Sequence, residues 1–308
     1  MTTRFYTHDL SVEHLTPPGH PERPDRIHAL NEAFSDARFD RLIRMEAPKA
    51  DEGWLELAHP ESHLKKVKGN IPEEGIVKVD ADTSASPKSW EVALHVCGAA
   101  MDAVDSVFDK TADNAFVAMR PPGHHAEKTT AMGFCLVNNI AIAARYAQQK
   151  HGAERVAIID FDVHHGNGTQ DIFYDDPSVL FASTHQMPLY PGTGALAETG
   201  AGNIYNAPLN EGDDGYQFKA AFRDRVLPAV ERFKPDLVMI SAGFDAHYRD
   251  PLAGINLQAE DFDWVTGKLL EIADNCCGSR VVSLLEGGYD LQGLAESATA
   301  HVNRMMTG

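Results

Sequence analysis

Residues 155–170 read RVAIIDFDVHHGNGTQ. The run from 155 to 160 is short and apolar on both faces, as a strand covered on both sides reads. Two aspartates and two histidines then fall within six residues, Asp160 to His165, and a turn rich in glycine and asparagine follows. Open α/β sheets bind ligands at the carboxyl ends of their strands. A buried strand that runs straight into acids and imidazoles therefore points to a chemical site at a sheet edge.

The same arrangement recurs on either side of this stretch. AFVAM (115–119) leads into RPPGHH, VLFAS (179–183) into THQMPLYPGTG, LVMIS (237–241) into AGFDAH, and VVSLL (281–285) into LEGGYD. Helical spacing separates the runs. Residues 87–108 place Val92, Val96, Ala100, Ala103 and Val107 on one face, after Ser86-Pro87, an N-cap and first-turn proline. Residues 137–149, 215–233 and 259–274 also read as helices, the second bent at Pro228. Alternating strand and helix predicts a parallel sheet with helices on both faces. Five glycine-bearing loops would then converge on one edge. With no repeat, low-complexity segment or long linker, a single domain over residues 1–308 is expected.

Composition narrows the function. At 43% hydrophobic and 23% charged, the 308 residues are those of an ordinary globular chain. The net charge of −18 disfavours direct binding to nucleic acid, which needs lysine and arginine on the phosphates. It would attract cationic partners such as basic peptides or polyamines. Cys97, Cys135, Cys276 and Cys277 form no Cys-x-x-Cys pair, so zinc-ribbon and thioredoxin chemistry is not expected. MTTRFYTHDL lacks the apolar stretch of a secretory leader, and no apolar run suggests a membrane span. The expected setting is reducing and cytoplasmic, without membrane attachment.

Asp162-x-His164 supplies a carboxylate and an imidazole that point the same way in extended backbone. Asp245, at another strand end, can supply a third ligand. Two carboxylates and one imidazole leave a position open for water, which is a catalytic arrangement. By softness alone zinc, iron(II), cobalt or manganese would suit the set. His124 and His125 stand in tandem after Pro-Pro-Gly, a held pair of proton-handling groups. Asp160 and Asn167 flank the ligands and are the candidates to orient the two rings. Tyr289, after two glycines, could donate to a developing oxyanion.

RPPGHHAE, DFDVHHGNGTQ, YPGTG, SAGFDAH and EGGYD together resemble the zinc-dependent histone deacetylase superfamily, over nearly the whole chain. The resemblance implies the arginase/deacetylase fold, a three-layer α/β/α domain around a mostly parallel eight-stranded sheet. It implies one zinc ion per chain on Asp162, His164 and Asp245, with His125 as general base and then acid. His124, bonded to Asp160, would be its electrostatic partner, and Tyr289 would polarise the amide carbonyl. Asn167, in place of the aspartate of class I members, and the stretch GFCLVNN make the chain class II-like. Family members also hold structural potassium through Asp160, Asp162 and His164, with Ser183 matching another ligand. A second monovalent site would involve the Phe173 and Val179 carbonyls and Tyr205. Phe134, beside Gly133, and Tyr190 match the aromatic walls of an acyl-lysine channel, and the loop carrying His20 would line its rim.

The substrate expected from the resemblance is acetyl-lysine in a protein or peptide. The alternative is a small N-acetyl amine such as an acetylpolyamine. Polyamine-selective relatives carry glutamate where this chain has Leu252, which favours the lysine-type substrate. A metal-bound interaction protein without catalysis, and the two-manganese arginase branch, are set against the intact His124, His125 and Tyr289. Self-association into a homo-oligomer stays open. The other histidines take ordinary readings: His28, His59, His63, His95, His151 and His301 as surface or helix residues, and His165, His185 and His247 as supporting groups.

Overall fold

The computed structural model describes residues 1–308. Eight strands form one sheet: β1 (Thr3–Thr7), β2 (Ile43–Glu46), β3 (Asn114–Val117), β4 (Val156–Asp160), β5 (Val179–Gln186), β6 (Ile204–Leu209), β7 (Leu237–Ala242) and β8 (Val281–Leu285). Their spatial order is β2-β1-β3-β8-β7-β4-β5-β6, and every neighbouring pair is parallel. The five strands legible as apolar runs, β3, β8, β7, β4 and β5, are the contiguous centre. They are covered on both faces, so nearly every position selects an apolar residue. The outer strands lack that signature. β2 is largely exposed, and β6, at the other edge, carries Pro208, which only an edge strand tolerates well.

Nine helices flank the sheet: α1 (Asp25–Ala33), α2 (Glu61–Gly69), α3 (Ser89–Phe108), α4 (Asn139–His151), α5 (Asn167–Phe173), α6 (Gly215–Ala221), α7 (Leu227–Phe233), α8 (Ala259–Cys277) and α9 (Leu291–Thr307). None is long and apolar enough to cross a membrane. Alternation along each strand feeds two cores. In β4, Ala157 and Ile159 face the layer of α1 and α6–α9, while Val156 and Ile158 face the layer of α2–α5. Each core gathers 43 buried residues, so neither face is left for solvent, and the three-layer expectation holds. Truncating a central residue such as Ile158 to alanine would cost about 2–5 kcal/mol.

The expected helix over 215–233 is interrupted before the proline rather than simply bent. One π turn, Phe222–Val226, joins α6 to α7, and Pro228 sits in the first turn of α7, where its missing N–H is tolerated. A two-stranded ribbon, Val77–Lys78 with Ser84–Ala85, delivers the turn that carries Asp82 to the carboxyl edge of the sheet. The reading of His59 as a surface or helix residue is corrected. It is buried outside any α-helix, and its Nε2 accepts from the Asn138 N–H. His63 and His301 are helical as read, but fully interior.

Candidate metal centre

All five central strands end at one place. β4 runs into Asp162 and His164, and β7 into Asp245. Their donor atoms lie within 4.8 Å of one another, all buried. His164 Nδ1 is 3.2 Å from Asp162 Oδ1 and 3.1 Å from Asp245 Oδ2. The remaining carboxylate oxygens are tied to backbone: Val163 N–H donates to Asp245 Oδ1 and Gly287 N–H to Asp162 Oδ2, each at 2.8 Å. Position 287 must be glycine, because a Cβ there would strike both carboxylates. Burial disfavours charge on His164, yet the two flanking carboxylates push its ring up to about 10. A centre that grips a proton between two buried acids demands positive charge. The Asp, His, Asp donor set suits zinc or another first-row divalent ion.

The tandem histidines follow β3 and are held in opposite states. Their ring centroids are 4.0 Å apart. His124 Nδ1 donates to Asp160 Oδ2 at 2.9 Å. Burial works against its charge, but Asp160, Asp162 and Glu286 outweigh it and hold the ring protonated. His125 Nδ1 meets Asn167 Oδ1 at 2.8 Å, and Asn167 Nδ2 donates to Glu127 Oε1 at 2.8 Å. The Glu127 contact turns the amide so that its oxygen faces His125. Nδ1 of His125 therefore carries the proton, and Nε2 is left as an acceptor. Burial first, then the neighbouring His124 and His164, keep His125 neutral. The two rings thus divide the roles: His125 is free to take up a proton, and His124 beside it carries a fixed positive charge.

Glu286, Arg26 and Asp250 were not singled out in the sequence, and they lock this geometry. Glu286 is buried, and its Oε2 accepts from the Gly123 N–H at 2.7 Å and the His124 N–H at 3.2 Å. Its Oε1 accepts from Ser241 Oγ at 3.0 Å. One carboxylate thus ties the loops after β3 and β8 to β7. Arg26 donates to the carbonyls of Gly288 and Glu286, and its guanidinium lies 5.0 Å from the Tyr289 ring centroid. Asp250 Oδ2 accepts from the Tyr289 N–H at 2.7 Å. Burial first, then Asp245, hold the Tyr289 hydroxyl protonated, so it is a donor.

Above the centre a cavity of about 200 Å³ has His125, His164 and Tyr289 at its base and Phe134, Leu189, Tyr190 and Leu252 in its walls. The Tyr190 ring centroid is 5.1 Å from that of His125, and Phe134 lies 5.9 Å from Tyr289. His20, expected at the rim, packs edge-on to Phe134 at 4.6 Å and is not among the residues that line the cavity. Gly133 passes against the His125 ring at φ 58°, where a Cβ would collide with the imidazole. Asp82, another residue the sequence reading missed, accepts from the Gly133 N–H at 2.9 Å and lines the cavity. Its acidic turn, DADTS, carried no spacing that would single it out.

The residues expected around potassium divide. Asp160 and Ser183 are register partners on β4 and β5, and Ser183 Oγ is 2.8 Å from His185 Nδ1. The Phe173 and Val179 carbonyls both accept from Asn203 Nδ2, each at 2.8 Å. Tyr205 is half-buried against the core on β6.

The sequence profile of the family described as "Histone deacetylase domain" matches residues 20–305. The chain is 40% identical over 299 residues to "Histone deacetylase 10, chloroplastic" of Oryza sativa subsp. japonica, covering 90% of this chain and 68% of that protein. It is 37% identical over 318 residues to a "Probable deacetylase" of Archaeoglobus fulgidus, covering 100% and 87%. The crystal structure of the HDA15 HD domain matches with a TM-score of 0.92 at 35% identity, over 98% of this chain and 88% of that one.

Proposed function

The chain belongs to the histone deacetylase domain family and is a hydrolase, and from that premise we propose that it hydrolyses N-acetyl amides, with acetyl-lysine in proteins or peptides as the substrate class. The observation that carries the reading is the neutral His125 at the base of an aromatic-walled cavity, opposite a phenol and beside three buried metal donors. Asp162, His164 and Asp245 would hold the metal, zinc in the reading that the family resemblance gives, which when bound supplies Lewis acidity to the carbonyl and lowers the pKa of the attacking water.

The chain's own groups do the rest. Phe134 and Tyr190 enclose the aliphatic stem, at about 0.8 kcal/mol per buried methylene. His125 Nε2 accepts the proton of the attacking water, and the Tyr289 hydroxyl donates to the oxyanion developing on the carbonyl. His125 then delivers its proton to the leaving nitrogen as the carbon–nitrogen bond breaks, giving acetic acid and the amine, which part at neutral pH as acetate and the ammonium ion. His124 keeps its charge throughout, balanced by Asp160. One structural potassium would sit where Asp160 and Ser183 meet.

A small cationic N-acetyl amine is the second reading, and the Asp82 carboxylate at the cavity favours it. A fluorogenic acetyl-lysine peptide and acetylated polyamines, compared by kcat/KM with and without a chelator, test both. Hydrolysis of the peptide that stops on chelation and returns with zinc is expected. No turnover of any N-acetyl amine by the zinc-loaded protein would refute the proposal, and preference for the polyamines would select the second reading.

A further inference from the structure

Behind α5, three backbone carbonyls meet at one side-chain nitrogen. Asn203 Nδ2 lies 2.8 Å from the Phe173 oxygen, 3.0 Å from that of Asp176 and 2.8 Å from that of Val179. Asn203 is only 4% exposed. A primary amide has two hydrogens for the three oxygens, and backbone N–H groups add to them, Asp176 donating to the Phe173 oxygen at 3.1 Å and Val179 to that of Asp176 at 3.2 Å. Carbonyl oxygens that converge on one point still build a pocket of negative potential, since each has a second lone pair, and rings of such oxygens can replace the hydration shell of potassium. The separations exceed the 2.3–2.6 Å at which calcium meets oxygen, so the cage has the size for a larger, monovalent ion.

The amide is fixed in this orientation. Its Oδ1 accepts from the Ala201 N–H at 3.0 Å, and reversing the group would drive a fourth oxygen into the cage. Positive charge is already supplied next door. Arg145 pairs with the Asp176 carboxylate, and its guanidinium lies 4.6 Å from the Phe173 ring centroid. An added ion would have to displace the amide.

We propose that the Asn203 amide takes the place of a monovalent cation in this carbonyl cage. The Phe173 and Val179 carbonyls, which the family resemblance would give to a second potassium together with Tyr205, are met here by a side chain. The consequence reaches the catalytic end of the same helix. Phe173 is the last residue of α5, and Asn167, which orients His125, is the first. Asn203 pins the far end of that helix to the start of β6 without an ion, so its position does not vary with the salt present. The proposal does not depend on which reaction the protein catalyses.

Crystals grown with rubidium as the monovalent cation give the test, by anomalous difference maps. The wild type should show no rubidium among the three carbonyls, and Asn203→Ala should show a peak there. In choline chloride Asn203→Ala should lie roughly 5 °C in Tm below the wild type, and potassium chloride should close that gap, raising the variant by more than it raises the wild type, whose own gain comes from the potassium proposed at Asp160 and Ser183. A rubidium peak in the wild-type cage overturns the proposal. So does an Asn203→Ala protein that takes up no rubidium among the three carbonyls and gains no more from potassium than the wild type does. If that variant does not fold, the wild-type map decides alone.

Discussion

His125 and Tyr289 sit on opposite sides of the cavity base with their protons in complementary places, an accepting Nε2 against a donating hydroxyl. Neither side chain is a metal donor, which separates catalysis from metal binding experimentally. His125→Ala should lower kcat by about 10²–10⁴, and Tyr289→Phe by about 10²–10³, both with zinc content unchanged. Steady-state kinetics beside metal analysis reads the two quantities. Turnover near wild type in either variant would remove that residue from the mechanism. The assignment of Asn167 rests on the same logic. A neutral amide oxygen holds the His125 ring without adding a charge, whereas the carboxylate of Asp160 holds His124 as an imidazolium.

At the scale of elements, the site is made by loops that follow five adjacent strands, and Glu286 is the tie between them. It reaches the Gly123 N–H from 163 residues away in the chain. Glu286→Ala would strand the buried N–H groups of Gly123 and His124, at about 1–3 kcal/mol each. We expect a lower Tm and a lower kcat at little change in KM, with Glu286→Gln keeping more of both than alanine. A variant that lost stability yet kept full kcat would show that the tie serves the fold alone. The motif LEGGYD marks this loop in the sequence, but nothing local to it shows which loop the carboxylate grips. The edge strands β2 and β6 were equally hidden, β2 because it is largely exposed and β6 because Asn206 and Pro208 interrupt any apolar run.

Across the whole molecule, buried histidines give the fold a pH dependence. His301 is interior, between Thr266 Oγ1 at 2.6 Å and Ser283 Oγ at 2.8 Å, and burial lowers its pKa to about 3. The unfolded chain takes up that proton near pH 6.5 and the folded protein does not. The stability tied to neutral His301 is thus complete above pH 6.5 and is lost as pH falls toward 3, at about 1.4 kcal/mol per pH unit at most. His301→Gln should be less stable at neutral pH yet lose less Tm between pH 6.5 and 4 than the wild type. Parallel Tm–pH curves would contradict this. Apolar runs ending in acids, imidazoles and glycines already dictated a parallel sheet with a carboxyl edge that gathers metal-type donors, since strand periodicity and donor chemistry belong to each segment alone. The neutral state of His125, the reach of Glu286 and Arg26, the interior place of His59 and the amide inside the Phe173–Val179 cage came only with folding. Each depends on which backbone arrives beside a side chain from a distant part of the chain, and on the burial and charge that arrive with it.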